Sequence, residues 1–468
     1  MTRFLLPETS IGSVDEWLAT DVGGRAIARA RELGPDQTIA EINLSGLRGR
    51  GGAGFRTGRK WRTVADATGR HHYAVANGAE GEPATFKDRA LMRANPYQLV
   101  EGLIVAAFAV GAVEAFICLK ASFTREIEVV TRAVQEITGA GMCGDCQITI
   151  VTGPDEYLFG EEKAMLEVIE GKPPLPRLFP PFEHGLYATA PQEGWEAAEP
   201  EPGHAGPHES NPTLANNVET LSNVPHILVH GAEWHRSMGT DGSAGNVVCT
   251  VVGDVSRPAV AEVELGTPLR EVIDGVGGGA GEGRSVKAVL SGVANPVVTA
   301  SQLDVPLSYE GFGAIGSGMG AAGFAVYDDT ACMVEVARQF SRFLYVESCG
   351  QCPPCKLGSG EITKRLAALE AGAGDGGDVD EIGGWLGKVT DGNRCYLAVE
   401  EQALVGSILR AFPEEFVEHI EHGRCPRPRP LRLPKIVDLE ESRVVYDEQQ
   451  WLKQPDWTYA RSAEELQD

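Results

Sequence analysis

A chain of 468 residues is long enough for roughly three domains, so general disorder is excluded. Lys and Arg number 41 against 66 Asp and Glu, and the net charge of −25 repels phosphate backbones, which excludes nucleic acid as an expected partner. The 57 glycines have no collagen period and favour loops in which backbone approaches a ligand closely.

The N-terminus has no sustained apolar region and no small-residue cleavage signal, so a cytoplasmic protein is expected. From residue 38 to about 153, strand-like segments (72–76, 115–119, 147–151) alternate with helical ones (97–111, 124–138), which predicts an α/β layer with parallel strands. The longest uncharged apolar run, 102–113, is closed by Glu101 and Glu114 and falls short of the ~20 residues of a spanning helix, so no membrane insertion is expected. Residues 188–211, rich in Pro, Gly and Glu, read as an acidic surface insertion. Residues 246–327 turn β-rich (247–252, 286–290) around a glycine-dense turn at 275–283 and predict a small α+β domain. After Asp328, three-and-four spacing of Met333, Val336, Ala337, Phe340 and Leu344, and later of Leu404 and Ile408, predicts a helical bundle with a flexible link at 371–380. Alternating Pro and Arg after Cys425 predict an extended tail.

Ten cysteines in a reducing compartment suit thiols or metal ligands better than disulfides. Cys349, Cys352 and Cys355 stand two residues apart, and Cys395 follows ahead of a predicted helix. Three closely spaced thiolates and one distant one suit a [4Fe–4S] cluster, with zinc and uncoordinated thiols as the alternatives. Pro353 and Pro354 are expected to stiffen the loop between ligands. Gly49, Gly51 and Gly54 form a G-x-G-x-x-G frame without a good preceding strand, which alone is weak. Arg48, Arg50 and Lys60 nearby would suit anionic phosphates, the alternative being a glycine-rich turn with solvated arginines. Asn77, Glu80 and Glu82 follow a strand, where open sheets bind ligands, although a turn with solvated acids reads equally simply. Glu161 and Glu162, and the pair Asn216 and Asn217, suit either a ligand or a helix cap. Cys143 and Cys146 read as free thiols, as do Cys118, Cys249, Cys332 and Cys425.

Together, Gly-Leu-Arg-Gly-Arg-Gly-Gly-Ala-Gly-Phe from Gly46, Asn-Gly-Ala-Glu-Gly-Glu-Pro from Asn77 with Phe-Lys-Asp-Arg from Phe86, Gly-Glu-Glu from Gly160, Asn-Asn-Val-Glu-Thr from Asn216 and Glu-Ser-Cys-Gly-Gln-Cys-Pro-Pro-Cys from Glu347 resemble, in order and spacing over about 38–423, one family. It is the flavin-binding, NADH-oxidising subunit of complex I, shared with NAD-linked hydrogenases and formate dehydrogenases. The resemblance implies a Rossmann-like FMN- and NADH-binding α/β domain (1–240), a ubiquitin-like β-grasp domain of the soluble-ligand-binding type (241–330), a helical [4Fe–4S] bundle (331–424) and a tail (425–468).

By matching position, Gly49, Arg50, Gly51, Lys60, Asn77, Glu80, Gly160, Glu161, Glu162, Asn216, Asn217 and Thr220 would surround FMN, with Gly52 and Gly54 in the same cradle. Phe55, Glu82, Glu162 and Phe182 would face NAD(H), the two rings stacking on adenine. The family implies hydride transfer to FMN and single-electron release through Cys349, Cys352, Cys355 and Cys395, with no catalytic side chain and with Glu82 and Glu162 orienting the nicotinamide. Implied partners are a thioredoxin-like [2Fe–2S] subunit and further iron–sulfur, molybdopterin or hydrogenase subunits. The chain departs from the family at Arg56, Thr63, Ala79 and Phe179; Ala79 stands where the family has a carboxylate. Rival readings are an FMN and iron–sulfur subunit with a redox partner other than NADH, and a non-catalytic scaffold with a structural cluster.

Overall fold

The computed structural model describes residues 3–69, 71–188 and 211–461. Two compact units appear: Met1–Glu80, Lys87–Val248 and Glu262–Gly266 form the first, and Gly81–Phe86, Cys249–Ala261 and Thr267–Asp468 the second. The acidic insertion expected at 188–211 lies, apart from its end residues, outside the described residues.

In the first unit α1 (Val14–Ala19), α2 (Arg25–Leu33), α3 (Pro35–Leu44) and α4 (Thr57–Asp66) precede β1 (His72–Asn77). Then come α5 (Lys87–Ala94), α6 (Pro96–Val110), β2 (Ala112–Lys120), α7 (Thr124–Gly139), β3 (Gln147–Gly153), α8 (Glu162–Ile169), β4 (Thr213–Asn217), α9 (Val218–His230) and α10 (Ala232–Arg236). The four strands form one parallel sheet in the order β3-β2-β1-β4, as the strand and helix alternation predicts. Since β2 and β3 extend the sheet on one side of β1 and β4 joins on the other, strand order reverses between β1 and β4, where open α/β sheets hold ligands beyond their carboxyl ends.

Helix α6 is apolar almost all round because it is the unit's central helix, not a membrane span. A Cβ on its Gly102 would lie 2.0 Å from the Leu221 carbonyl oxygen, so only glycine allows α9 this close. Glu101 is buried, and the hydrogen bonds it accepts from Trp17 Nε1 and from the Gly24, Ala26 and Ile27 amides at the start of α2 offset part of the cost of desolvating it. Among the described residues no helix is long and apolar enough to cross a membrane.

The second sheet takes β5 (Asn246–Gly253), β6 (Ala259–Glu264), β7 (Val286–Ser291), β8 (Val298–Thr299) and β9 (Gly323–Asp328) in the order β6-β5-β9-β7-β8. Strands β5 and β9 run parallel, while β7 is antiparallel to both β9 and β8. Helices α11 (Leu269–Gly277) and α12 (Tyr309–Ala314) lie between its strands in sequence.

The bundle comprises α13 (Met333–Glu347), α14 (Pro353–Glu370), α15 (Gly376–Leu386), α16 (Leu397–Ala411) and α17 (Pro413–His422). The flexible link expected at 371–380 is shorter, because Asp375 forms a capping box with Asp378 and starts α15 there, which then buries Ile382 and Leu386. The tail is extended only to about residue 435. It then forms a hairpin, β10 (Ile436–Glu440) and β11 (Arg443–Tyr446), and folds onto α13, where Lys453 and Glu347 make a fully buried ion pair at 2.9 Å and Arg342 donates to the carbonyls of Gln450, Trp451 and Lys453. Composition concealed this, because proline limits only the first stretch.

Candidate functional site

In the first unit the 46–57 loop is closed by an antiparallel bridge between Arg48 and Arg56 and by the Gly49 amide donating to the Phe55 carbonyl at 2.8 Å. Gly52 and Gly54 take positive φ, which explains glycine at those two positions. Gly51 lies against Asn217, to whose Cβ a Cβ on Gly51 would stand at 3.2 Å. The Arg50 amide donates to Thr220 Oγ1 at 2.8 Å, which ties the loop to the first turn of α9.

The three cations of this segment do not stand free for a phosphate. Arg50 is buried, its guanidinium donating to the carbonyls of Ala244 and Asn246 and lying 3.9 Å from Glu219. Arg48 reaches the carbonyls of Gly54 and Gly242, and Lys60 pairs with Glu162 at 2.6 Å. The anion-receptive feature is instead the start of α4, which has no side-chain cap and leaves the buried Thr57 hydroxyl without a hydrogen-bond partner among the described residues. Trp61, one turn on, donates to Asn216 Oδ1 at 2.8 Å and so ties α4 to the end of β4.

Register places Asn77 opposite Asn217 and Ala76 opposite Asn216 at the carboxyl ends of β1 and β4. Asn77 Nδ2 donates to the Gly160 carbonyl at 2.7 Å, and Asn77 Oδ1 accepts from the Ala79 amide. Ala79 packs in the core with Tyr73, Phe116 and Phe159. Glu161 does cap α8, accepting from the amides of Lys163 and Ala164, and burial pushes its carboxyl up to about 7. Asn217 caps α9 through the Glu219 amide, whereas Asn216 serves Trp61. Glu80 accepts from Arg89 Nε at 2.9 Å and from the Asp88 amide, so its carboxylate is engaged within the protein. Phe55 and Phe182 are 57% and 38% exposed, leaving apolar rings available for stacking. Phe179 lies against His184 with ring centroids 4.5 Å apart.

Under these strand ends sits a charged network that motif reading passed over, although its members lie inside the quoted motifs. Lys87 Nζ stands 2.8 Å from Asp88, 2.9 Å from Glu219 and 3.1 Å from Asn217 Oδ1, and Asn217 Nδ2 donates to Asp88 at 2.6 Å. Burial would lower the Lys87 ammonium, but the carboxylates of Asp88, Glu219 and Glu80 outweigh it and hold it above its ordinary value. Burial raises Asp88 to about 6 against the pull of Lys87. The network orients Asn217 from behind, a task for which no local spacing codes.

In the second unit Glu82 Oε1 accepts from the Val293 amide at 2.7 Å. Gly292 beside it takes φ +73°, and a Cβ there would stand 2.1 Å from that oxygen. The cysteines follow from two chain reversals. Helix α13 stops at Glu347, Gly350 takes a positive φ, and Cys352 becomes the N-cap of α14. Pro353 and Pro354 therefore open a helix, where their missing amides cost nothing, rather than stiffening a loop. Arg394 donates to Gln351 Oε1 at 3.2 Å and Gln351 donates to Cys349 Sγ at 3.6 Å, which brings the Cys395 turn to the Cys349 loop. Lys356 donates to the carbonyls of Tyr345, Ser348 and Pro455, so the tail braces the same loop. Cys349, Cys352 and Cys355 thus stand at or just before the start of α14 with the Cys395 turn tied to the Cys349 loop, and four thiols so placed could hold a cysteine-ligated cluster.

Residues 42–226 match the family described as the Nuo51 FMN-binding domain, 335–419 the NADH-ubiquinone oxidoreductase-F iron–sulfur binding region, and 248–293 the SLBB domain. The chain is 40% identical over 418 residues to the F-type subunit, the one numbered 2, of the NADH-quinone oxidoreductase of Rhizobium meliloti (strain 1021), covering 86% of this chain and 94% of that protein. The chain belongs to the family of F-type subunits of NADH-quinone oxidoreductase. It is 32% identical over 432 residues to the NADP-reducing hydrogenase subunit HndC of Solidesulfovibrio fructosivorans, covering 90% of this chain and 83% of that protein. A crystal structure of an NAD+-reducing [NiFe]-hydrogenase in the H2-reduced state matches with a TM-score of 0.74 and 29% identity, over 90% of this chain and 68% of that chain. Within this family the FMN-binding stretch contains every first-unit site residue from Gly49 to Thr220, and the iron–sulfur stretch contains all four clustered cysteines.

Proposed function

We propose that this chain is the electron-input subunit of a multi-subunit oxidoreductase, exchanging a hydride between NADH or NAD+ and FMN and passing electrons to partner subunits. When bound, FMN supplies the change from hydride to single electrons and a [4Fe–4S] cluster supplies the one-electron exit. The uncapped start of α4, tied by Trp61 to the end of β4, carries this reading. It offers amides to an FMN phosphate at the switch point of a parallel sheet.

Gly49, Arg50, Gly51, Gly52 and Gly54 form the cradle's backbone, and Lys60, Asn77, Glu80, Gly160, Glu161, Glu162, Asn216, Asn217 and Thr220 its walls. Phe55 and Phe182 stack on the nucleotide, Glu82 and Glu162 orient the nicotinamide, and Cys349, Cys352, Cys355 and Cys395 hold the cluster. The strand order β6-β5-β9-β7-β8, with β5 and β9 parallel at its centre, supports a β-grasp reading of 241–330. On this reading 1–240 is the FMN- and NADH-binding domain, 241–330 the β-grasp domain, 331–424 the [4Fe–4S] bundle and 425–468 the tail. Expected partners are a thioredoxin-like [2Fe–2S] subunit and further iron–sulfur, molybdopterin or hydrogenase subunits, which would hold the protein in the cytoplasm or at the inner membrane face.

The test is an anaerobic visible spectrum of the FMN- and iron-reconstituted chain before and after NADH. Loss of the oxidised flavin band with NADH is expected. A band that only dithionite removes would overturn the NADH assignment.

A further inference from the structure

Three residues that no cofactor claims meet in the second unit. Cys332 caps α13, its sulfur accepting from the Glu335 amide; His419 lies in the last turn of α17; and Cys425 follows three residues after that helix ends. One ligand atom from each lies within 4.8 Å of the others, and Cys332 Sγ stands 3.4 Å from His419 Nε2. Around a tetrahedral zinc with Zn–S of about 2.3 Å and Zn–N of about 2.0 Å, neighbouring ligand atoms stand roughly 3.5–3.8 Å apart. The Cys332–His419 pair is already at that spacing, and Cys425 offers its sulfur within 4.8 Å of both.

The imidazole is set for ligation by its other nitrogen. His419 Nδ1 lies 2.6 Å from the Glu415 carbonyl oxygen, which can only accept, so the proton sits on Nδ1 and the Nε2 lone pair faces the sulfur. A carbonyl holding the far nitrogen is the usual outer partner of a metal-bound histidine. His419 and Cys332 are buried, and Cys425 is half-buried. The nearby charges are already paired: Glu415 accepts from the Met333 amide and pairs with Lys287, and Arg427 pairs with Glu418 at 2.7 Å. A divalent ion with two thiolates and a neutral imidazole is itself neutral, so it adds no unbalanced charge.

We propose that Cys332, His419 and Cys425 bind a zinc-type divalent cation, distinct from the cluster of Cys349, Cys352, Cys355 and Cys395. Two sulfur and one nitrogen ligand favour zinc over magnesium or calcium. Binding releases two thiol protons and changes no oxidation state, and water takes the fourth position. The ion joins the start of α13, the end of α17 and the root of the tail. Cys332 and Cys425 fall outside the matched iron–sulfur region, and His419 is its last residue.

Elemental analysis of the anaerobically purified full chain tests this, with iron and flavin measured on the same sample. About one zinc per chain is expected, and Cys425→Ser and His419→Gln should lose most of it while keeping iron and FMN. If a variant fails to fold, the unsubstituted chain is stripped by chelation and titrated with Co2+, where thiolate-to-cobalt charge transfer and tetrahedral d–d bands are expected. Zinc at background together with a silent cobalt titration, zinc unchanged in both variants, or a Cys332–Cys425 disulfide found by mass spectrometry of the anaerobic protein would each overturn the proposal. None of these readouts depends on NADH, so the electron-input reading stands or falls separately.

Discussion

Lys87 Nζ lies 2.9 Å from Glu219 Oε2, with both side chains wholly buried. Glu219 also accepts from the Val248 amide, and Lys87 holds Asn217 at the end of β4. One buried pair thus joins α5 and α9 and orients a residue of the candidate flavin site. Replacing one partner strands the other charge, so Lys87→Met is expected to cost about 3–5 kcal/mol, read as a large fall in thermal midpoint. Lys87→Met with Glu219→Gln should recover part of that loss, because the Glu219 carboxylate no longer stays buried without its ammonium, although Asp88 still does. Equal losses in the single and double variants would refute the coupling.

The Thr57 hydroxyl is buried without a partner among the described residues. Thr57→Val removes an unsatisfied group at almost constant volume, so the flavin-free chain should be as stable or slightly more so. FMN affinity, measured by fluorescence quenching, is expected to fall. Unchanged affinity would remove this hydroxyl from the candidate site.

The Lys60–Glu162 pair is partly exposed, at 27% and 39%, so its contribution to stability should stay below about 1 kcal/mol. Glu162→Gln is therefore expected to leave the melting temperature nearly unchanged while raising KM for NADH. A large stability loss with an unaltered KM would make the pair purely structural.

Glu401 is buried on α16, and burial pushes its carboxyl up to about 8 although Ser341 donates to it at 2.6 Å. The folded-state pKa lies above the ordinary value of 4.5, so the proton is held more tightly in the folded chain. The contribution to stability is full below about pH 4.5 and is lost as pH rises to about 8. Glu401→Gln, which still accepts from Ser341, should lack this loss, and its advantage in thermal midpoint should widen between those limits. Parallel pH profiles would contradict the assignment.

Much of the architecture was legible because it depends on local period. The segments expected at 72–76, 115–119 and 147–151 are β1, β2 and β3, one to four residues longer, and the stretches 97–111 and 124–138 are α6 and α7. Backbone hydrogen bonding and burial of alternating faces act over neighbouring residues, so spacing encodes them directly. The link expected at 371–380 is shorter for the converse reason: in a glycine-rich stretch the one capping box of Asp375 outweighs composition.

The sequence by itself determined the order of the elements, the four-cysteine set and the family, since each is written in contiguous residues or short fixed spacings. Only the tertiary structure decided that Arg50 points inward, that Lys87 supports Asn217, that the tail returns to brace Glu347, and that Cys332, His419 and Cys425 meet. These outcomes join residues far apart along the chain: 194 positions separate Arg50 from Ala244, 130 separate Lys87 from Asn217, 106 separate Glu347 from Lys453, and 87 separate Cys332 from His419. Burial forces each such charge or ligand atom to find a partner, and which partner is within reach is a property of packing rather than of spacing along the chain.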